Sequence, residues 1–291
     1  MTMAYDRAVE NLGNIIHLEH VNTRVPDQRL ATLFYISGLG LTRDPYLMTG
    51  VDNMWVNVGR SQFHLPTGAP QRLRGATGLV IPDRAALRAR LAKIADHLAG
   101  TDFAVHETAG YTEAVSPWGN RIRCHEPSPL FGPIQLGMAY VVFTTPAGCA
   151  EGIARFYRDI IGAPAETGRD GEGVFARVRV GGGQILLFRE TDQPLDSFDG
   201  HHIQIYINDF AAPYRRLREL GLISEESDQH QYRFETLIDP DTEKPLFTIE
   251  HEVRSLRHPL YARDLVNRNP AQTNLRYAPG RDALPWSLPA T

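Results

Sequence analysis

The sequence predicts an α+β fold assembled from four βαβββ modules arranged in two pseudo-symmetric halves. Two observations carry that prediction. An alternating strand, a capping turn and an amphipathic helix recur four times, each followed by short strand-like runs. The composition of the 291 residues, 42% hydrophobic and 22% charged, is that of a folded globular chain with ample length for a core.

The first module covers roughly 15–70. In "LEHVNTRVPDQRLATLFYISGLGL" (18–41) an alternating strand leads to Asp27, a residue able to cap a helix, and Leu30, Leu33 and Phe34 then share one helical face. "NMWVNVGRSQFHL" supplies the strands that follow. The second module, about 71–130, opens with "ATGLVIPDRAALRARL", in which Asp83 plays the capping part. The third, about 135–192, opens with "MAYVVFTTPAGCAEGIARFYRDIIG", where Phe156-Tyr157 echoes Phe34-Tyr35. Its "GGG" at 181–183 lies between two strand runs and lacks the Lys-Ser/Thr of a phosphate loop, so it reads as a tight hairpin. The fourth, about 197–254, begins "HIQIYINDFAAPYRRLRELGL" and ends "QYRFETLIDPDTEKPLFTIEHEV". Residues 1–132 are therefore expected to form an N-terminal domain of modules one and two, and 133–254 a C-terminal domain of modules three and four. Residues 255–291 are an extension without periodicity, whose Leu260, Tyr261, Leu265, Val266 and Trp286 imply packing as a lid.

Charge and cysteine usage exclude several classes of function. The net charge of -4 and the absence of a basic stripe argue against nucleic acid as a partner. "RRLREL" is expected to be the solvated face of the fourth helix. No apolar run approaches the ~20 residues that span a membrane. The first residues, "MTMAYDRAVENLG", do not form a signal peptide, and two cysteines in unrelated contexts suit a reducing cytoplasm.

The repeated unit resembles the vicinal oxygen chelate superfamily, which includes glyoxalase I, bleomycin-resistance proteins and extradiol dioxygenases. "HVNTRVPDQRLATLFYISGLGL", "GHHIQIYINDFAAPYRRLRELG" and "IDPDTEKPLFTIEHE" carry the resemblance, over roughly residues 15–254. It implies that modules pair and curl their strands into cups around a divalent metal, with ligands on the first and last strands.

The capping residues set a register for those strands. Seven positions before Asp27 stands His20, and seven before Asp209 stands His202; the same count from Asp83 reaches Ala76. Aligning Pro146 with Pro26 puts Tyr140 at the third module's equivalent position. Among the last strands, Glu250 alternates with Phe247 and Ile249, and His64 alternates with Phe63 and Leu65. Module two offers Arg123, which cannot ligate, and module three an apolar run. Ligand-competent residues are thus confined to modules one and four. If module one pairs with four, and two with three, then His20, His64, His202 and Glu250 converge.

His20, His202 and Glu250 would then form a 2-His-1-carboxylate triad for a divalent metal, Fe(II) foremost, with Mn, Zn, Ni or Co as alternatives. This split between first and last modules resembles the hydroquinone ring-cleaving dioxygenases. It implies O2 and a small aromatic or phenolic substrate, a catechol or hydroquinone, as partners. His64 and Tyr232 are the expected acid–base and hydrogen-bonding groups. Thr236 stands where many dioxygenases of the superfamily carry Tyr. Two other functions use the same scaffold: a redox-neutral glyoxalase-like isomerase or lyase with His64 as a fourth ligand, and a non-catalytic binder of aromatic molecules lined by Trp55, Tyr140, Tyr206 and Phe234. His201 shares the parity of Ile203 and is left off the metal, His17 is expected before the strand proper, and His97, His106 and His258 are expected to be solvated in helical or loop contexts. Homo-oligomer formation is left open.

Overall fold

The computed structural model describes residues 7–46, 52–263 and 277. Module one contributes β1 (Ile15–Asn22), α1 (Gln28–Ala31), β2 (Thr42–Arg43), β3 (Asn53–Val58) and β4 (Ser61–Pro66). Module two contributes β5 (Gly75–Val80), α2 (Arg84–Ile94), β6 (Ala104–Glu107), β7 (Thr112–Val115) and β8 (Arg121–His125). Module three contributes β9 (Gly137–Pro146), α3 (Ala150–Arg155), β10 (Ala165–Asp170), β11 (Gly173–Arg179) and β12 (Ile185–Thr191). Module four contributes β13 (His202–Ile207), α4 (Ala211–Glu219), β14 (Ile223–Asp228), β15 (Gln231–Ile238) and β16 (Pro245–Ser255). The βαβββ order holds in all four.

The helices start where the aspartates stand. Asp27 accepts from the backbone N–H groups of Arg29 and Leu30, Asp83 from Ala86, and Asp209 from Ala211 and Ala212. Each satisfies donors that a helix start leaves unpaired. Module three lacks the aspartate, and there Glu190 accepts from the N–H of Ala150 instead. α1 and α3 run on as π-helical turns, Thr32–Gly38 and Phe156–Ile161, which bury the paired Phe34-Tyr35 and Phe156-Tyr157.

Strand pairing joins modules one and four in one sheet, ordered β14-β15-β16-β13-β1-β4-β3-β2. Modules two and three form the other, ordered β10-β11-β12-β9-β5-β8-β7-β6. In each module the last strand runs parallel beside the first, and the first strands of the paired modules meet antiparallel at the sheet centre. Each sheet thus takes strands from both sides of the 132/133 boundary. One apolar cluster, running from Ile15 and Phe34 through Phe143 and Phe188 to Val253, lies on the helix-bearing sides of both sheets. Gln184 fastens the sheets together through Leu18, Ser61 and Met138.

The glycine run at 181–183 turns between β11 and β12, with Gly182 and Gly183 at positive φ. Gly181 lies so close to β1 that a Cβ there would stand 2.1 Å from the Ile16 carbonyl oxygen. His17, expected before the strand, lies within β1 and bonds the Arg60 carbonyl. No helix among the described residues is long and apolar enough to cross a membrane.

Candidate metal centre

The side of the first sheet that faces away from the helices is a grid of polar side chains. Antiparallel pairing of β1 with β13 sets His20 beside Gln204 and Asn22 beside His202. Parallel pairing then sets Asn22 beside His64, and His202 beside Glu250. His20, His64 and His202 converge so that one ligand nitrogen from each lies within 4.8 Å of the other two. Ring centroids of His20 lie 5.7 Å from His64 and 5.6 Å from His202. Three imidazoles expected from the register are therefore neighbours, although 138 positions separate His64 from His202 in the chain.

The two central histidines are built alike. His20 donates its Nδ1–H to Glu19 Oε2 at 2.8 Å, and His202 Nδ1 lies 3.2 Å from Glu250 Oε1. On both rings the opposite nitrogen, Nε2, is buried without a hydrogen-bond partner. A buried imidazole nitrogen left bare costs free energy unless something accepts its lone pair, and a metal ion does so. The donor set fits a divalent ion, with neutral imidazoles and nearby carboxylates. Burial, and then the neighbouring His20, hold His202 well below the usual imidazole pKa; the same causes act on His64. Both rings are thus kept neutral, as ligation requires.

Two carboxylates of β16 share this face. Glu250 is paired with Arg233, and burial raises its pKa against the pull of that guanidinium. Glu252 lies 3.6 Å from His202 Nε2, the bare nitrogen, and pairs with Arg233 and with Arg254 at 2.6 Å. The pairing register makes Glu252, two residues beyond the expected Glu250, the counterpart of His64. His20 stands beside Gln62, two positions before His64, as His202 stands beside Glu250, two positions before Glu252.

His64 is held on every side. Asn22 Nδ2 donates to its Nδ1 at 2.6 Å, Nε2–H reaches Asn53 Oδ1 at 2.7 Å, and the ring stacks on Trp55 at 3.8 Å. Tyr232 is not brought to the cluster. It lies on the opposite side of β15, packed against Phe210 and Tyr214, while its neighbour Arg233 reaches the carboxylates. Phe234 likewise stacks on His251 in the core, 4.5 Å between centroids, whereas Trp55 and Tyr206 do face the cluster. His201 is fully buried, with Nδ1 2.6 Å from Asp199 Oδ1 and Nε2 without a hydrogen-bond partner like those of His20 and His202, but it is not among the three histidines that converge.

Sequence parity missed Glu19 and Arg254. Leu18 pairs with Ile205 and His20 with Gln204, two steps on β1 against one on β13, so Glu19 is the extra residue of a β-bulge. The bulge lets Glu19 and His20 serve the same face. Its trace in the sequence is the three-residue spacing of Leu18 and Val21, both in the core. Burial would raise the Glu19 pKa, but the His20 hydrogen bond and the Arg254 charge outweigh it and hold the carboxyl at about 2.

Residues 256–263 close one end of the cluster. Tyr261 packs on Tyr206 at 4.9 Å, and Arg263 pairs with fully buried Asp44 and covers the Tyr46 ring. His258, expected in a solvated context, is half-buried beside Tyr206, and burial holds its pKa at about 4. The remainder of the expected lid, 264–276 and 278–291, lies outside the described residues.

Comparison with solved structures places this architecture. A protein from Bacillus subtilis subsp. subtilis str. 168 bearing the name "putative dioxygenase" superposes with a TM-score of 0.56 at 17% identity, over 87% of this chain and 87% of that one. Glyoxalase I from Zea mays superposes with a TM-score of 0.58 at 13% identity, over 82% of this chain and 92% of that one. This is the vicinal oxygen chelate fold. No protein-family model matches the chain. No curated protein matches it either.

Proposed function

We propose that the chain is a metal-dependent enzyme that uses O2 to cleave the ring of a small dihydroxylated arene, a catechol or hydroquinone, at an Fe(II) centre. The observation that carries this reading is the matched pair His20 and His202, each with a carboxylate at Nδ1 and a bare, buried Nε2. His20 and His202 would hold the ion together with a carboxylate of β16. Glu252 is the better third ligand because it lies on the Nε2 side of His202, while Glu250, the residue expected from the sequence, serves the Nδ1 side.

Fe(II), if held by two imidazoles and one carboxylate, would keep open positions for a chelating diphenol and for O2. The chain's own residues supply the rest. His64, kept neutral by burial, takes a phenolic proton at Nδ1, the nitrogen that now accepts from Asn22. Arg233 and Arg254 fix the two β16 carboxylates and offset their charge. Tyr261 and Arg263 shut water out at one end.

The test is an oxygen-electrode screen of diphenols with protein loaded with Fe(II) under anaerobic conditions. The reading expects one O2 consumed per ring opened; a fully loaded protein that takes up no O2 with any catechol or hydroquinone contradicts it. A second reading is favoured by one observation, the presence of His64 within the 4.8 Å group. With four ligands and Zn, Ni, Co or Mn, the site would serve a redox-neutral isomerase or lyase. Turnover without O2 would support that reading against the first.

A further inference from the structure

We infer that Glu19 is a positioning residue for this site, setting the proton position of His20 so that Nε2 is the nitrogen offered to a metal. The inference rests on the metal-site reading above. Glu19 and His20 are adjacent in sequence, and in a regular strand they would point to opposite faces. β1 breaks that alternation twice, between Ile15 and His17 and between Leu18 and His20, and the second bulge puts the carboxylate on the ring it must orient.

The geometry leaves Glu19 little else to do. Its side chain is 8% exposed, its Oε2 accepts from His20 Nδ1 at 2.8 Å, and the His20 side chain is fully buried. A neutral imidazole carries one proton, so donation from Nδ1 leaves the lone pair on Nε2. That is the buried nitrogen without a partner. Arg254 holds the carboxylate from the other side, with Nη1 3.6 Å from Glu19 Oε2 and Nη2 2.6 Å from Glu252 Oε1. One guanidinium thus ties the residue that orients His20 to the carboxylate beside His202 Nε2, across the β1 and β13 strands. Outer carboxylates that hold a ligating histidine in this way typically contribute about 10–100-fold to metal affinity.

The experiment measures Zn(II) and Co(II) affinity of the full chain by competition with a chromophoric chelator, for wild type, Glu19→Ala, Glu19→Gln and His20→Ala. Far-ultraviolet circular dichroism and a thermal melt accompany each variant. Glu19→Ala is expected to bind about 10–100-fold more weakly, while Glu19→Gln, which still offers a carbonyl oxygen to Nδ1–H, recovers much of the loss. Nitrogen-15 spectra of the metal-free protein should show His20 as the Nδ1–H form in wild type and a mixture of forms in Glu19→Ala. If Glu19→Ala does not fold, the Glu19→Gln spectra and affinity decide, and loss of the Nδ1–H form there overturns the rescue. A folded Glu19→Ala protein with wild-type affinity and an unchanged His20 spectrum overturns the inference alone, provided that His20→Ala loses metal. If wild type and His20→Ala bind alike, the metal-site reading falls and takes this inference with it.

Discussion

The two sheets share a topology, strand for strand, and differ in what stands at the same register positions. In the first, the centre of the face away from the helices holds His20 and His202 with their carboxylates and bare nitrogens. In the second, the equivalents of His20 and His202 are Ala76 and Tyr140, paired across the centre with Val142 and Gly78. Tyr140 lies flat over Gly78, where a Cβ would come within 2.2 Å of its ring, and its hydroxyl bonds His125 Nε2 at 2.8 Å. Phe131, Val80 and Ala139 fill in around it. The Tyr140 hydroxyl at that centre thus has its partner inside the protein, whereas Nε2 of both His20 and His202 has no hydrogen-bond partner. The same backbone carries a packed core at one sheet centre and a cluster of ligand-competent side chains at the other. Side-chain chemistry at a few positions makes the difference, as expected of a fold that hosts unrelated functions.

The largest expected effect comes from making the first sheet like the second. His20→Ala, His202→Ala and Glu252→Ala should each lower metal affinity by more than ~100-fold, beyond the range of outer partners. Glu250→Ala should fall within about 10–100-fold. Metal content of dialysed protein checks both, and equal losses for Glu250→Ala and Glu252→Ala would erase the distinction between them.

A second difference is the pin from the C-terminal extension. Arg263→Ala leaves the fully buried Asp44 carboxylate without its counter-ion, held by Gln62 and the Tyr46 N–H, and removal of one partner from such a pair costs about 3–5 kcal/mol. Chemical denaturation would measure it, and a variant as stable as wild type would show that the extension is not fastened there.

Acid should also act on the first sheet. His251 is fully buried, its Nε2 bonded by Tyr157, and burial holds its pKa at about 4; His202 and His64 are also lowered by burial. A histidine with a depressed native pKa leaves the unfolded chain binding more protons, so stability is full above about 6.5 and falls as pH drops toward 4. For His251 alone the loss is ~3 kcal/mol across that window. Denaturation of metal-free protein at pH 7 and pH 4.5 reads it, and His251→Phe should flatten the slope.

The smallest effect belongs to the second sheet. Gly78→Ala overpacks the ring of Tyr140 and should destabilise by about 1–3 kcal/mol with metal content unchanged. Metal loss in that variant would mean that the second sheet takes part in the site.

Much of this was legible in the sequence because the signals were local. Capping aspartates mark three helix starts, and the alternation of apolar residues marks the strands they follow. The pairing of module one with module four was legible for another reason, since His20, His64 and His202 occur only there. What escaped was whatever depends on register across strands. The bulge at Glu19 breaks parity, so simple alternation does not bring this neighbour of a predicted ligand to the ligand face. Tyr232, expected at the site, shares the core side of β15 with Phe234, while Arg233 between them reaches the carboxylates of β16. Glu250 and Glu252 alternate on one face of β16, and only pairing with β13 tells which of them stands opposite His64.

The most direct test of the difference between the two sheets is the metal stoichiometry of protein purified without oxygen, in wild type, His202→Ala and Tyr140→Phe. The account predicts one divalent ion per chain in wild type and in Tyr140→Phe, and none retained by His202→Ala. Two ions per chain, or one that survives His202→Ala, would contradict it.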